Sequence, residues 1–153
     1  MRVYLVQHGE AKAKEQDPKR PLTQTGIMEV RRMAAFLKPL GLRVGAIWHS
    51  DKLRAAETAE FLGKALESDN GILQRSGMGP DDDIRPALAE IVKGGADLVL
   101  IGHMPYLSKL AGKLLAGNES ADPVAFRPGG VVCLAKAESG HWHLAWALTP
   151  DVV

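Results

Sequence analysis

Apolar positions along the chain alternate between two spacings. Val3-Tyr4-Leu5-Val6 is a short continuous β-prone run. Ile27, Val30, Ala34 and Leu37 then recur at helical spacing until Pro39-Leu40-Gly41 stops the helix. Ala46-Ile47-Trp48 reads as a second strand, followed by a helix from Asp51 to Leu66 with Leu53, Ala56, Ala59 and Leu62 on one side. A third helix is expected to start around Asp81-Asp82-Asp83, where carboxylates suit the positive end of a helix. Leu98-Val99-Leu100-Ile101 is the clearest buried strand, and Pro105 opens a helix carrying Leu107, Leu110, Ala111 and Leu114. In the tail, Gly129-Gly130 precedes a strand over Val131 to Ala135. Glu138-Ser139-Gly140 then turns the chain into His141 to Leu148, a hairpin-like addition to the sheet. Lys12 to Arg20 and Glu67 to Pro80 read as loops. Strands alternating with helices predict an α/β fold, a three-layer α/β/α sandwich with a mainly parallel central sheet.

Composition narrows the picture mainly by exclusion. The 153 residues suit a single domain over 1–153, with enough apolar side chains (46%) for a core without staples. One cysteine excludes an intrachain disulfide framework and a cysteine-rich zinc module. Nineteen Lys+Arg against 18 Asp+Glu leave a formal charge of +1, which argues against a nucleic-acid partner. The apolar run near the N-terminus is too short for a secretory signal, and no run of 18 apolar residues could span a membrane. A cytoplasmic protein without a membrane partner is therefore expected.

The candidate chemistry lies just past strand ends. His8 follows the first strand and precedes Gly9; His103 follows the strand Leu98 to Ile101, between Gly102 and Met104-Pro105. In open parallel sheets, ligands bind beyond the carboxyl ends of the strands, so two such loops can bring both imidazoles to one place. Arg54 falls in the first turn of the helix after a third strand end. Arg20 precedes a helix near Thr23, whose hydroxyl can cap it. Guanidinium forks and helix N-termini both suit phosphate oxygens.

Four motifs now stand in order: Gln7-His8-Gly9, Arg20-Pro21-Leu22-Thr23-Gln24-Thr25-Gly26, Ser50-Asp51-Lys52-Leu53-Arg54-Ala55-Ala56-Glu57-Thr58, and Gly102-His103-Met104-Pro105. Over roughly residues 1 to 148 this pattern resembles the histidine phosphatase superfamily (phosphoglycerate mutase-like), and within it the small SixA-type phosphohistidine phosphatases. The resemblance implies that His8 is the nucleophile and forms a phosphohistidine intermediate. It implies that Arg54 and His103 clamp the phosphoryl oxygens, with Gln7, Gly9 and Arg20 as further phosphate contacts. It also implies a reaction needing no metal and no cofactor. His8 must attack neutral, whereas His103 is expected to serve as a cation, so the two should titrate differently.

Two departures bear on activity. Gln7 stands where the family usually has an arginine, and Asp51 replaces the usual proline. Arg20, Lys12 or Lys52 are the cations that could compensate. A general acid is sought in the stretch Asp81 to Asp83, with Asp82 and Asp83 the candidates, although capping and solvation explain these carboxylates better. A phosphohistidine, with its nitrogen leaving group, needs an acid less than a phosphomonoester does. The expected function is thus dephosphorylation of a phosphohistidine on a signalling or phosphotransfer protein. The alternatives are a small-molecule phosphomonoesterase, or a non-catalytic phosphate- or phosphohistidine-binding module left by the loss of the motif arginine.

The remaining features have plainer readings. Glu10 is a loop carboxylate, and Arg20 could simply pair with Asp17. His141-x-His143 places two imidazoles on one strand face, which without further ligands is a surface strand rather than a metal site. Trp142 and Trp146 share a two-residue period and read as core or edge packing. Cys133 reads as a buried apolar residue.

Overall fold

The computed structural model describes all 153 residues. In chain order its elements are β1 (Arg2–Gln7), α1 (Gln24–Leu37), a 3-10 turn (Lys38–Leu40), β2 (Arg43–Val44), β3 (Ala46–His49), α2 (Leu53–Gly63), β4 (Glu67–Ser68) and β5 (Ile72–Gln74). They continue with α3 (Arg85–Lys93), β6 (Leu98–Gly102), α4 (Tyr106–Ala116), β7 (Val131–Lys136) and β8 (Trp142–Leu148). Consecutive apolar residues on a strand point to opposite faces, so the runs in β1, β3 and β6 require a cover on both sides. All five residues of β6 and all four of β3 are buried.

The helices supply that cover. Val3, Leu5, Trp48, Leu98 and Leu100 pack with Ile91 of α3 and with Leu107, Leu110 and Leu114 of α4. On the other face, Tyr4, Val6, Ile47, Val99 and Ile101 pack with Val30, Met33 and Leu37 of α1 and with Ala55, Ala59 and Leu62 of α2. The six-stranded sheet between them runs β5-β3-β6-β1-β7-β8. β1, β3, β5 and β6 are parallel, while β7 and β8 add on antiparallel. This is the expected three-layer sandwich with a mostly parallel sheet. No helix is long and apolar enough to cross a membrane.

Several expectations shift in detail. Leu53, Ala56, Ala59 and Leu62 do not share a face, because steps of three residues drift about 60° each against a helical repeat of 3.6. The buried side of α2 is instead Arg54, Ala55, Thr58, Ala59 and Leu62, with Leu53 left 39% exposed. That rotation is what turns Arg54 inward.

The third helix begins at Arg85, later than the Asp81–Asp83 cluster. Pro86 sits in its first turn, and the Arg85 amide donates to Asp83 Oδ1 at 2.9 Å. Glu67 to Pro80 is not all loop, since it holds β4, paired with β2, and the edge strand β5, paired with β3. Every residue of β5 is exposed, so no alternation marked it. In the tail, the pairing shifts between Cys133, opposite Trp146, and Leu134, opposite Leu144. This bulge undoes the period-two reading of the tryptophans. Trp142 joins the core beneath α3 and α4, whereas Trp146 packs on the α1/α2 side, its ring centroid 5.8 Å from that of Tyr4. Cys133 is fully buried, and burial raises its thiol pKa to about 11.

Parallel register does the positioning. Gln7 lies beside Gly102 and His49 beside Ile101, so β1, β6 and β3 end level with one another. The residues that follow, His8, His103 and Ser50, leave the sheet at one place.

Candidate active site

His8 is held at the backbone from two sides. Its amide donates to the Gly102 carbonyl at 3.1 Å, and the Gly129 amide donates to the carbonyls of Gln7 (3.0 Å) and His8 (3.2 Å). The side chain is fixed as well. Nδ1 lies 2.7 Å from the Gly9 carbonyl oxygen. A carbonyl only accepts, so Nδ1 carries the proton and Nε2 keeps its lone pair. Arg54 Nε–H, from the first turn of α2, donates to that Nε2 at 3.2 Å.

Gly9 is a glycine for want of space: a Cβ there would stand 2.8 Å from Val30 Cγ2 and 3.3 Å from the Gly26 carbonyl oxygen. Its amide donates to Thr58 Oγ1 at 3.0 Å, and Thr58 donates to the Arg54 carbonyl at 2.7 Å. Thr58, one turn beyond Arg54, therefore ties the His8 loop to the helix that carries the guanidinium. Gly26 is tighter still, because a Cβ would meet the Glu10 carbonyl oxygen at 2.2 Å. Thr23 caps α1 as expected, accepting from the Gly26 amide at 2.9 Å and donating to Glu10 Oε1 at 2.7 Å. Glu10 thus fastens the loop after His8 to the start of α1.

Arg20 stands near both His8 and Arg54, lowering the pKa of each by its charge. Its backbone takes a left-handed φ of 49°, and its Nε donates to the Lys12 carbonyl at 3.0 Å. The Asp17 pairing is only between backbones, from the Arg20 amide to the Asp17 carbonyl at 2.9 Å. The next turn is anchored by Glu57, whose Oε2 accepts from the Leu22 amide at 2.7 Å. Gln7 closes β1 half-buried. The charges that act on His8 are those of Arg54 and Arg20, and Lys52 acts on His103. Lys12 contributes a carbonyl to the site's framework rather than a charge.

The second imidazole is adjacent. The His8 and His103 ring centroids are 4.9 Å apart, with the planes tilted by 56°. His103 Nε2 and Ser50 Oγ are 2.6 Å apart, and Ser50 is completely buried. Burial, then the charges of Arg54 and Arg20, push His8 down to about 4 despite the opposing Gly9 hydrogen bond. Burial, then His8, Arg54 and Lys52, push His103 down to about 3. This corrects one expectation. The two rings do not titrate on opposite sides of neutrality, and His103 is no cation at pH 7. Withdrawn from water above all, and facing positive charge, both are held neutral.

Neither acid candidate hydrogen-bonds to this pair. Asp82 Oδ2 accepts from the Gly79 amide at 2.7 Å, and Asp83 is bound to Arg85, with Arg85 Nη2 2.6 Å from its Oδ2. The carboxylate whose charge acts on His103 is Asp51. His141 and His143 are exposed on the hairpin. Ser50, Thr58 and Glu57 were legible only as motif positions; their roles depend on partners distant in the chain.

Residues 3–75 match the family described as histidine phosphatase superfamily (branch 1). An uncharacterized protein of Picosynechococcus is 31% identical over 142 residues, covering 88% of this chain and 84% of that one. The chain belongs to the histidine phosphatase superfamily. The phosphohistidine phosphatase SixA of Escherichia coli is 28% identical over 155 residues, with 98% of this chain and 94% of SixA covered. A solved SixA structure in complex with tungstate superposes with a TM-score of 0.85 at 27% identity, covering 99% of both chains. Membership makes this histidine phosphatase a hydrolytic enzyme of a metal-independent kind.

The neutral pair has a consequence for stability. The unfolded chain binds protons at both histidines near pH 6.5, whereas the folded chain refuses them down to about 4 and about 3. Their contribution is therefore intact above pH 6.5 and is lost as the pH falls through those lower values. Denaturant midpoints should drop between about pH 6.5 and about pH 4.5, and a His8→Gln, His103→Gln double variant should show a shallower drop. An equal slope in both proteins would contradict the assigned neutrality.

Proposed function

We propose that the protein removes phosphate from phosphohistidine on a signalling or phosphotransfer protein, through a phospho-His8 intermediate. One observation carries this reading. His8 presents an unprotonated Nε2 beside the Arg54 guanidinium, with its Nδ1–H already committed to the Gly9 carbonyl.

In the first step the Nε2 lone pair attacks phosphorus, and the P–N bond to the substrate imidazole breaks. The departing ring keeps that electron pair and is protonated from solvent. In the second step water attacks phosphorus, the P–Nε2 bond breaks, and inorganic phosphate leaves with the water oxygen. Dividing the transfer into two displacements lowers each barrier. Arg54, Arg20 and His103 surround the transferring group, and such positioning and charge stabilisation are most of what phosphoryl transfer asks of a protein. Because His8 stays neutral down to about pH 4, the nucleophile is present throughout the physiological range.

The leaving group decides between phosphohistidine and a phosphomonoester. An alcohol leaves poorly without a proton, and of the two candidate acids Asp83 has both oxygens on Arg85 while Asp82 has one on the Gly79 amide. A phosphoramidate bond is weaker and makes less use of an acid. The likeness to SixA over nearly the whole chain supports the same choice. The purified protein should hydrolyse a phosphohistidine-bearing phosphotransfer domain with a kcat/KM at least about 100-fold above that for p-nitrophenyl phosphate. Equal or reversed values would favour the phosphomonoesterase reading.

A further inference from the structure

His103 poses a problem that the mechanism leaves open, since a neutral ring offers only one donor and the side on which it stands matters. Ser50 is completely buried, and its backbone is tied to β6 by donation from its amide to the Ile101 carbonyl at 3.3 Å. Its hydroxyl has two partners: the Lys52 amide, which donates to Oγ at 3.3 Å, and His103 Nε2 at 2.6 Å. The first can only use an oxygen lone pair. The hydroxyl proton therefore has one acceptor within reach, Nε2.

The opposite arrangement can be weighed directly. If Nε2–H donated to Ser50, the hydroxyl proton would be stranded in a buried site, and so would the lone pair on Nδ1. Nδ1 is buried and bonds to nothing else in the protein. With Ser50 donating, only one group is left over, and it is an N–H. Buried polar groups are rarely left unpaired without a function, so this N–H is kept for a ligand.

We propose that Ser50 is a positioning residue: it donates its hydroxyl proton to His103 Nε2, locks the Nδ1–H tautomer, and reserves that N–H for a phosphoryl oxygen. The assignment of the acceptor rests on the phosphoryl-transfer reading above; the tautomer does not. The second histidine then binds the phosphoryl group as a neutral donor. It adds no positive charge to a pocket already holding Arg54, Arg20 and Lys52. Its grip is insensitive to pH over the range where the ring stays neutral.

Two measurements on the whole protein test this. Long-range proton–nitrogen correlation spectra of 15N-histidine protein at pH 7, without substrate, should show His103 as the Nδ1–H tautomer. Ser50→Ala should shift it toward Nε2–H or a mixture, and kcat should fall about 10- to 100-fold while the thermal transition confirms folding. An Nε2–H ring in the natural protein, or a tautomer unmoved in Ser50→Ala, would overturn the proposal.

The second measurement needs no spectrum of the ring. An asparagine amide nitrogen reaches the place of Nδ1, whereas that of glutamine reaches the place of Nε2. His103→Asn should therefore bind vanadate at least about 10-fold more tightly than His103→Gln. Glutamine binding as well as or better than asparagine would overturn the assigned role of Nδ1. If natural protein with an Nδ1–H ring binds no vanadate, the tautomer stands and the phosphoryl-transfer reading is what fails.

Discussion

Replacing His8 by alanine should abolish phosphoenzyme formation and lower kcat by about 10,000-fold or more. Nothing else at the site offers a nucleophile in the same place. His103 lies with its ring centre 4.9 Å away, but its Nε2 is engaged by Ser50. The label transferred from a 32P-phosphohistidine substrate should be acid-labile and base-stable in the natural protein and absent from His8→Ala. The fold should survive, since the Gly9 amide keeps its bond to Thr58 and β1 keeps its pairing with β6 and β7. Persistent labelling in that variant would place the nucleophile elsewhere.

The other large effect is expected as a gain. Gln7 ends β1 beside Gly102, at the position where the resemblance implies an arginine as the usual residue, and the cations acting on His8 are Arg54 and Arg20. Charge-assisted hydrogen bonds are roughly twice as strong as neutral ones, and a lost transition-state donor commonly costs about 10²–10³ in rate. Gln7→Arg should therefore raise kcat/KM by about 10- to 1000-fold, equivalent to roughly 1.4–4 kcal/mol. The position is half-buried at the end of the strand. The gain should be larger in an Arg20→Ala background if Arg20 shares the task of holding the substrate. A rate unchanged by Gln7→Arg would show that Arg20 and Arg54 already saturate the charge requirement. Steady-state kinetics on a phosphohistidine substrate, read as kcat and KM separately, decides between these outcomes.

Much of this protein is legible without coordinates because its signals are local. The runs Val3 to Val6 and Leu98 to Ile101 are too apolar to face water, so a sheet covered on both sides follows from them. Thr23 at its helix start reads correctly because capping involves only the adjacent turn. The short edge strand β5 escapes notice because it is exposed and has no periodicity to display. Helix α2 is misread because a three-residue apolar spacing only imitates a helical face; the wrong face hides the fact that Arg54 is buried with Thr58.

By itself, the chain picked out the candidate side chains and placed each after a strand: His8, Arg54 and His103 stand in ordered motifs at element ends. Their protonation was another matter. Only the tertiary structure decided it, because a pKa is a collective property of burial and neighbouring charge. Parallel register levels the ends of β1, β3 and β6, which brings Ser50 to His103 across 53 positions of sequence and Arg54 to His8 across 46. Packed together with Arg20 and Lys52 and withdrawn from water, both imidazoles lose their protons. A histidine expected as a cation becomes a neutral donor, with a buried serine to choose which nitrogen donates.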